Sequence, residues 1–505
     1  MTDLLLLLVL LAPLLGGLLA WPARGRVADL VALVAGVLTL VPAALLAVAA
    51  LGDSTVTGLG GIAVVDAFGG LTLLVVCLVA TMAMAGSPRY LRHADAQTPD
   101  RPTARGRYWA LLLWFGGALL AVPLVDNLGL VWVGIEAATI VAAMLVGFAR
   151  TPEAIEAAWK SLILGSVGIG FALLGTMLAY ASSVDLLGET SDALAWTRLT
   201  AVAGQLDPGL MRLAFIFVLV GYGTKTGLVP FHTWLPDAHS QAPSPVSALL
   251  SGASLAVALY ALARFQAITA GAVGPDLPST LLIAFGLLSL AVALPFIAAQ
   301  DDLKRLLAYS SIEHMGVAAL ALGFGGAIAL GGLVLHLVAH GLVKGSLFLS
   351  GGGIVEAGES RRILHLSGSL RRVPADGWGF LAGSLLLCGL PPSALFVSEL
   401  AIVLGGVQQG WGVAAALAAV LLALTAAGFL FHVARVTWGR PRRRPRHVGG
   451  ETGPMRGRAQ GRLATAWPAL IGTPLAIVAV LGVWLPTPFA AAVGRVVSVL
   501  GVPGG

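Results

Sequence analysis

Long apolar runs alternate with short polar connections along almost the whole chain of 505 residues. An apolar run of about 18 or more residues is long enough to cross a bilayer as a helix. Counting such runs predicts about 14 spans, and therefore an all-α integral membrane protein. The predicted spans are 3–21, 27–50, 61–85, 107–123, 127–148, 158–182, 209–231, 243–267, 278–299, 303–325, 327–352, 376–405, 411–434 and 465–484, with a weaker apolar tail at 486–500.

The composition agrees with this pattern. Hydrophobic residues make up 58% of the chain and charged residues 11%, and the mean hydropathy is +0.92. Soluble domains carry about a quarter charged residues. The longest polar connections, 86–106, 183–208 and 435–463, are too short to form a separate catalytic module. The first 21 residues lack a basic leader, so we expect a first membrane helix rather than a cleaved signal.

Basic residues fall on one side of the predicted layout. Of the 30 lysine and arginine residues, 24 lie in alternate connections, which the positive-inside rule assigns to the cytoplasm. Both termini are then expected on the outer side. The net charge of +6 is thus explained by topology, and we expect no nucleic-acid partner. The basic run at 441–450, PRRRPRHVGG, suits either a topology anchor or a docking surface for a partner or a lipid headgroup.

The eleventh predicted span carries two histidines and a lysine on one helical face. His336, His340 and Lys344 are spaced four residues apart, so neighbours lie about 6 Å apart along the axis. Histidine exchanges protons near neutral pH, and a desolvated lysine can change its charge state. The pattern favours a proton relay, although each group could instead be satisfied by neighbours. Two histidines four apart can also bind zinc, but the surrounding sequence offers no acidic or cysteine ligand, and we predict no metal and no cofactor.

Acidic residues inside other predicted spans point the same way. Glu136 lies in mid-span, where a lone carboxylate is costly, and Lys225 in the seventh span is a suitable partner. Glu399 follows Pro391-Pro392 in the twelfth span. Ionisable residues at such depth mark ion pathways. Glu313 and His314 belong to the tenth span, whereas Asp66, at the start of the third, is expected at the interface. Cys77 and Cys388 lie in apolar runs and are expected to be inert.

Two of the predicted spans contain helix-breaking residues. The seventh has Gly221, Gly223, Gly227 and Pro230 around its lysine, and the twelfth has its proline pair. Paired broken helices at corresponding positions indicate inverted repeats with an ion path at the breaks. We therefore predict two inverted five-helix repeats, each with a broken helix, and Glu313 as the counterpart of Glu136. The predicted divisions are 1–106 for the N-terminal helices, 107–267 and 278–434 for the repeats, and 435–505 for a basic cytoplasmic loop and a last helix.

Several long motifs resemble one membrane-protein family. GYGTKTGLVPFHTWLPDAHSQAPSPVSALLSG at 221–252, LKRLLAYSSIEHMG at 303–316 and HLVAHGLVKGSLFLSGG at 336–352 are similar to the proton-conducting antiporter-like subunits. These occur in respiratory complex I, multisubunit cation/proton antiporters and membrane-bound hydrogenases. NLGLVWVGIEAAT at 127–139, EAAWKSLILGSVGIGFALLGT at 156–176 and the Glu-His at 313–314 are most similar to the hydrogenase-4 component F and formate-hydrogenlyase branch.

The resemblance implies roles for individual residues. It implies a coupled glutamate and lysine in the first half, a lysine and histidine line in the second, and an ionisable group after the second break. These are Glu136, Lys225, His336, His340, Lys344 and Glu399. Residues near the predicted cytoplasmic end could supply protons, although interfacial or anchoring roles are equally open: Lys160, His232, Asp237 and His239. Many relatives carry a lysine or histidine in mid-helix 8, where this chain has serines at 247, 251 and 254, so the link between the halves is either interrupted or carried by water.

The resemblance implies a proton-translocating subunit of a larger redox-driven complex in a bacterial or archaeal cytoplasmic membrane. The chain shows no ligand set for electron chemistry, so membrane and peripheral partner subunits would supply the energy. One alternative is a cation/proton antiporter subunit or a membrane partner of an inorganic-carbon uptake system. Another is a membrane enzyme with His336 and His340 as metal ligands.

Overall fold

The computed structural model describes residues 1–52, 55–97, 104–440 and 463–501. The fold is a helical bundle with one small β-hairpin. Eleven helices in these described ranges are long and apolar enough to cross a membrane. The N-terminal part consists of α1 (Thr2–Ala20), α2 (Gly25–Leu51), β1 (Val56–Gly58), β2 (Ala63–Val65) and α3 (Ala67–Gln97). The antiparallel hairpin pairs Val56 with Val65.

The next eight helices contain the first predicted break. They are α4 (Arg105–Ala121), α5 (Leu128–Val146), α6 (Pro152–Leu187), α7 (Trp196–Ala201), α8 (Pro208–Thr226), α9 (Trp234–Gln241), α10 (Ser244–Leu249) and α11 (Leu255–Val273). A π-helical turn, Leu250–Ser254, joins α10 to α11, so the chain is helical without interruption from 244 to 273. The polar helix starts are capped: Asn127, Thr151 and Asp207 accept backbone N–H bonds at the starts of α5, α6 and α8.

The remaining helices contain the second predicted break. They are α12 (Asp276–Ala298), α13 (Leu303–Phe324), α14 (Gly326–Gly358), α15 (Ile363–Leu366), α16 (Ser369–Arg372), α17 (Pro374–Leu387), α18 (Ala394–Gln408), α19 (Gly412–Thr437), α20 (Leu463–Leu481) and α21 (Thr487–Leu500). Asp302 caps α13, and Ser393 caps α18.

Both breaks expected from glycine and proline are present. Helix α8 ends where Gly227 adopts a left-handed conformation (φ 85°), and the chain resumes its helix only at Trp234. The predicted twelfth span is divided into α17 and α18, with Pro391-Pro392 between them. At each break, backbone N–H and C=O groups inside the bundle are left without helical hydrogen bonds. Polar side chains can hydrogen-bond to these groups. The inverted repeat itself stays a prediction.

The polar residues lie in helices surrounded by other helices. The spanning windows of the α10–α11 unit and of α13 are fully buried, whereas those of α1 and α19 are 33% and 28% buried. Leucine and valine side chains on α1, α2 and α19 point outward, as expected for surfaces that face lipid. The ionisable residues of α13 and α14 therefore occupy the centre of the protein.

Glycines permit close approach between α6 and α8. A Cβ on Gly221 would lie 2.4 Å from the backbone nitrogen of Ala172, and one on Gly168 would lie 2.6 Å from Thr224 Cβ. Small residues of this kind let membrane helices pack backbone to backbone. The packing fixes the last turn of α8, which carries Lys225, against α6.

The start of the third span differs from the expectation. The third span was predicted to begin at residue 61, but residues 63–65 form β2 and the helix starts at Ala67. An apolar β-strand and an apolar helix cannot be distinguished by hydropathy alone. The basic run at 441–450 lies outside the described residues. The apolar tail is the helix α21, which packs against α14 and α3.

Candidate functional site: a buried line of ionisable side chains

Lys225 is enclosed at the end of α8. Its side chain is 2% exposed, and its Nζ lies 5.2 Å from the ring centroid of Trp234, the first residue of α9. The indole N–H of Trp234 donates to the backbone oxygen of Thr224 at 2.9 Å, which holds the ring in place. An aromatic face stabilises a cation while leaving it free of a permanent ion pair.

Glu136 approaches this lysine from α5. Its Oε1 accepts a 2.7 Å hydrogen bond from Ser166 Oγ of α6, and its Oε2 is buried without a hydrogen-bond partner among the described residues. Glu136 and Lys225 interact electrostatically, but within the described chain no direct ion pair joins them. Glu136 and Lys225, which the sequence analysis paired, therefore influence each other electrostatically without direct contact.

Lys160 and Asp237 meet at the edge of the bundle. Lys160 Nζ lies 3.2 Å from Asp237 Oδ2 and 2.6 Å from Glu156 Oε1. Arg305 of α13 also contacts the Asp237 carboxylate. The side chain of Lys160 is 47% exposed, so this cluster connects the surface with α9. His232 is buried in the turn between α8 and α9, close to the same helix.

Helix α9 connects the helices of the first predicted repeat with those of the second. Its first residue contacts Lys225, and its buried His239 stacks on Phe348 of α14 with ring centroids 5.1 Å apart. His239 lies within electrostatic range of both Lys304 and Lys344. Neither of its ring nitrogens has a hydrogen-bond partner among the described residues. The imidazole of His239 thus lies near Lys304 and Lys344, on the same short helix whose first residue contacts Lys225.

The serines of the α10–α11 unit lie beside this connection. Ser247 Oγ donates to the backbone oxygen of His239 at 3.0 Å, and Ser251 Oγ hydrogen-bonds with Ser311 Oγ of α13 at 2.8 Å. Ser254 Oγ is buried without a partner among the described residues. The segment with serines at 247, 251 and 254, where many relatives carry a lysine or histidine, is therefore polar on the side facing α9 and α13.

Lys344 lies at the centre of the second half. Its side chain is fully buried, and Nζ donates to Leu307 O at 2.9 Å and to Ser310 Oγ at 2.5 Å, both on α13. Lys344 also interacts electrostatically with Glu313. The carboxylate of Glu313 accepts a hydrogen bond from Thr425 Oγ1 of α19. Lys344 is therefore, like Lys225, a buried lysine under the influence of a glutamate.

Three histidines form a compact group beside Lys344. The ring centroids of His314 and His336 lie 5.2 Å apart, those of His314 and His340 lie 5.3 Å apart, and those of His336 and His340 lie 6.1 Å apart. Glu399 of α18 joins the group, with Oε1 3.7 Å from His314 Nδ1. The break before α18 thus brings its glutamate to histidines of α13 and α14.

The hydrogen bonds of Ser398 fix the tautomer of His336. The Ser398 hydroxyl donates its one proton to Leu395 O at 2.8 Å, so its oxygen accepts at the 3.0 Å contact with His336 Nδ1. The imidazole proton is then on Nδ1. Nε2 keeps its lone pair, and it has no hydrogen-bond partner in the described part of the chain. His336 is therefore ready to accept a proton or another electrophile at Nε2.

A small cavity adjoins the carboxylates of this group. It has room for about one water molecule and is lined by Ser310, Glu313, His314, Cys388 and Glu399 together with apolar residues. Such a cavity can place a water between groups that are too far apart for a direct hydrogen bond. The structure thus brings together Glu313, His314, His336, His340, Lys344 and Glu399.

Several polar partners were not recognised from the sequence. Ser310, Ser398 and Thr425 contact ionisable residues, yet isolated hydroxyl residues in apolar helices carry no distinct signal. Lys304, at the start of α13, donates to Ala242 O at 2.5 Å. A lysine whose side chain is buried at a helix start differs from the exposed anchors that flank most spans.

Asp66, which we expect at the membrane interface, is buried within the protein immediately before α3. Arg264 of α11 donates to both of its carboxylate oxygens, at 2.8 and 2.5 Å. The guanidinium lies 3.8 Å from the ring centroid of Trp196 and 4.8 Å from that of Tyr260. Asp66 and Arg264 are 198 residues apart, so no local sequence pattern indicates the pair.

Taken together, these features define a multi-pass membrane protein with buried ionisable side chains and broken helices. The family described as "NADH:quinone oxidoreductase/Mrp antiporter, TM" matches residues 125–425. The chain belongs to this family. The matched region begins just before α5 and ends within α19, so it contains both breaks and both buried lysines.

Curated relatives support the assignment. A "Hydrogenase-4 component F homolog" of Methylacidiphilum infernorum is 41% identical over 375 residues, which cover 73% of this chain and 76% of that protein. An "NADH-quinone oxidoreductase subunit N" of Desulforudis audaxviator is 32% identical over 370 residues, covering 72% of this chain and 70% of the relative. The resemblance expected from the sequence motifs is confirmed.

Solved structures share the fold. A chain of the archaeal membrane-bound sulfane sulfur reductase has a TM-score of 0.84 at 23% identity, covering 99% of this chain and 98% of that one. A chain of the Mrp complex from Dietzia sp. DQ12-45-1b has a TM-score of 0.82 at 21% identity, covering 100% of this chain and 98% of that one. The predicted all-helical membrane fold is confirmed, whereas the number of spans stays a prediction.

Proposed function

We propose that this protein is a proton-translocating membrane subunit of a multisubunit, redox-driven complex. One observation carries the proposal: Lys225 and Lys344 are both buried under the influence of a glutamate, and α9 contacts the first through Trp234 and lies within electrostatic range of the second through His239. Ionisable groups are costly in a membrane interior, and a connected series of them is typical of a proton path.

The path begins where a charged cluster reaches the surface. Lys160 and Asp237 are positioned to take up protons and to deliver them to α9. From there His239 leads to Lys344, and Lys225 lies at the other end of the same helix. The serines at 247, 251 and 254 provide hydroxyl groups beside this route, which supports a water-assisted connection in place of a charged residue.

The second half continues the path through the histidine group. Lys344 can pass a proton by way of His340, His336 and His314 to Glu399, because these side chains are adjacent and titratable. Glu313 interacts electrostatically with Lys344, and Glu136 interacts in the same way with Lys225. This similarity supports the proposed correspondence of the two glutamates. Changing the charge of either glutamate would change the proton affinity of its lysine.

The names of the relatives guide the assignment of partners. They are components of a hydrogenase-4 and of NADH-quinone oxidoreductases. We propose that this chain likewise assembles with other membrane and peripheral subunits, in a bacterial or archaeal cytoplasmic membrane, with both termini on the outer side. The alternating placement of basic residues supports this orientation.

Proton translocation by the assembled complex in sealed vesicles tests the proposal. Lys225→Ala and Lys344→Ala should each abolish acidification, while electron transfer and subunit content show that the complex is intact. Arg212→Ala is the matched control, because Arg212 is an exposed cation on the same helix as Lys225. Full translocation in both lysine variants would refute the proposal. Proton movement driven by a sodium gradient without electron transfer would indicate an antiporter subunit instead.

A further inference from the structure

Three potential metal ligands converge from three different helices. A nitrogen of His314 on α13, a nitrogen of His336 on α14 and a carboxylate oxygen of Glu399 on α18 all lie within 4.8 Å of one another. Both histidines are at least 97% buried, and the glutamate side chain is 15% exposed. Since the three residues are widely separated in sequence, only the packing of the helices brings their donor atoms together.

The donor atoms are available for coordination. His336 has its proton on Nδ1, held by Ser398, and its Nε2 lone pair has no partner among the described residues. His314 Nδ1 is also buried without a hydrogen bond in the described part, and it faces the carboxylate of Glu399. A hydrogen bond on the far nitrogen of an imidazole is the usual support for a histidine that binds a metal.

The donor set selects a class of ion. Two imidazoles and one carboxylate suit Zn²⁺ and neighbouring first-row dications, whereas Mg²⁺ and Ca²⁺ prefer oxygen ligands alone. Ligand distances of about 2.0–2.2 Å require donor atoms about 3.3–3.6 Å apart in a tetrahedral site. The His314–Glu399 separation of 3.7 Å nearly meets this requirement, and side-chain rotation closes the rest.

We propose that His314, His336 and Glu399 form a binding site for a transition-metal dication of the Zn²⁺ class. Bound there, the ion would cross-link α13, α14 and α18 and occupy the lone pairs of two histidines. Glu399 would coordinate the ion as a carboxylate, and Glu313 interacts electrostatically with Glu399. Lys344 is the opposing positive charge, since it interacts electrostatically with His314 and His340.

Binding of Zn²⁺ to the purified full-length chain in detergent tests this site. Titration against a chromophoric zinc chelator should reveal one high-affinity ion per chain. His336→Gln and Glu399→Gln should weaken that binding by about a hundredfold or more, and Ser398→Ala by about tenfold through loss of the supporting hydrogen bond. His239→Gln is the matched control, because His239 is equally buried and its ring nitrogens have no hydrogen-bond partner among the described residues. Unchanged affinity in the first two variants would overturn the proposal.

X-ray absorption of the zinc-loaded wild-type chain provides a readout that does not depend on how the variants fold. Two imidazole nitrogens and an oxygen should appear at about 2.0–2.2 Å. A sulfur shell at about 2.3 Å would overturn the ligand set, because it would make the nearby Cys388 a ligand. Neither measurement depends on proton translocation. Failure of this inference therefore leaves the proposed function unaffected, and failure of the proposed function leaves the metal site unaffected.

Discussion

The imidazole of His239 stacks on the ring of Phe348, with centroids 5.1 Å apart and planes 18° from parallel. Phe348 is one helical turn beyond Lys344 on the same face of α14. His239 belongs to α9, whose first residue contacts Lys225. This contact joins the two buried lysines through one short helix.

We expect His239→Gln to impair translocation while leaving assembly intact. Glutamine keeps hydrogen-bonding groups but cannot carry a proton, and a positioned acid–base group contributes about a hundredfold to proton transfer. Proton uptake in vesicles, normalised to electron transfer, measures the effect. Phe348→Leu preserves the imidazole and should reduce the rate far less. Equal loss in both variants would show that packing, rather than titration, is what matters at this position.

The two glutamates should behave alike. Glu136→Gln and Glu313→Gln each remove the carboxylate that acts on a buried lysine, so each should abolish or strongly reduce proton movement. Glu153→Gln is a suitable control, since Glu153 is an exposed residue in the first turn of α6. If Glu313→Gln left translocation unchanged while Glu136→Gln abolished it, the correspondence between the halves would be wrong.

The buried Arg264–Asp66 pair should contribute strongly to stability. Asp66→Asn leaves the guanidinium charged among Trp196 and Tyr260, and removing one partner of a buried pair costs about 3–5 kcal/mol. Thermal denaturation in detergent should show a clear loss of stability. Asp192→Asn disrupts the exposed pair with Arg198, where both side chains are more than half exposed, and should change stability by about 0–1 kcal/mol. Similar effects in the two variants would contradict the prediction.

Close packing of α6 on α8 provides a steric test. Gly221→Ala puts a Cβ 2.4 Å from a backbone nitrogen of α6, so the helices must separate and the turn that carries Lys225 must shift. Thermal stability and translocation should both fall. Gly170→Ala on α6 meets no atom within 4 Å and should be neutral or slightly stabilising, because alanine favours helix by about 1 kcal/mol. A neutral Gly221→Ala would show that the two helices are not held at this distance.

The sequence predicted the helices and their breaks because hydropathy, glycine and proline act locally. The positions of Lys225 in α8 and Lys344 in α14 follow directly from such local patterns. The β-hairpin before α3 was missed, since three apolar residues in a strand look like the start of an apolar helix.

The contacts between distant helices could not be predicted in the same way. Glu399 was recognised as ionisable, but its proximity to His314 depends on the angle at which α18 leaves the break. The pairing of Asp66 with Arg264 could not be predicted, because the two residues are 198 positions apart. The sequence also offered no acidic residue near His336, whereas the packing of α18 supplies one.

The position of α9 determines whether the protein could be expressed as two separate fragments. The connection near Gly274 separates the two predicted repeats and would be the obvious point at which to express the protein as two fragments. Helix α9 precedes that point, yet it packs against α13 as well as α6. A fragment ending at 274 would expose the face that carries His239. Two co-expressed fragments would therefore need each other to fold, and neither repeat is an autonomous unit that could be transplanted alone.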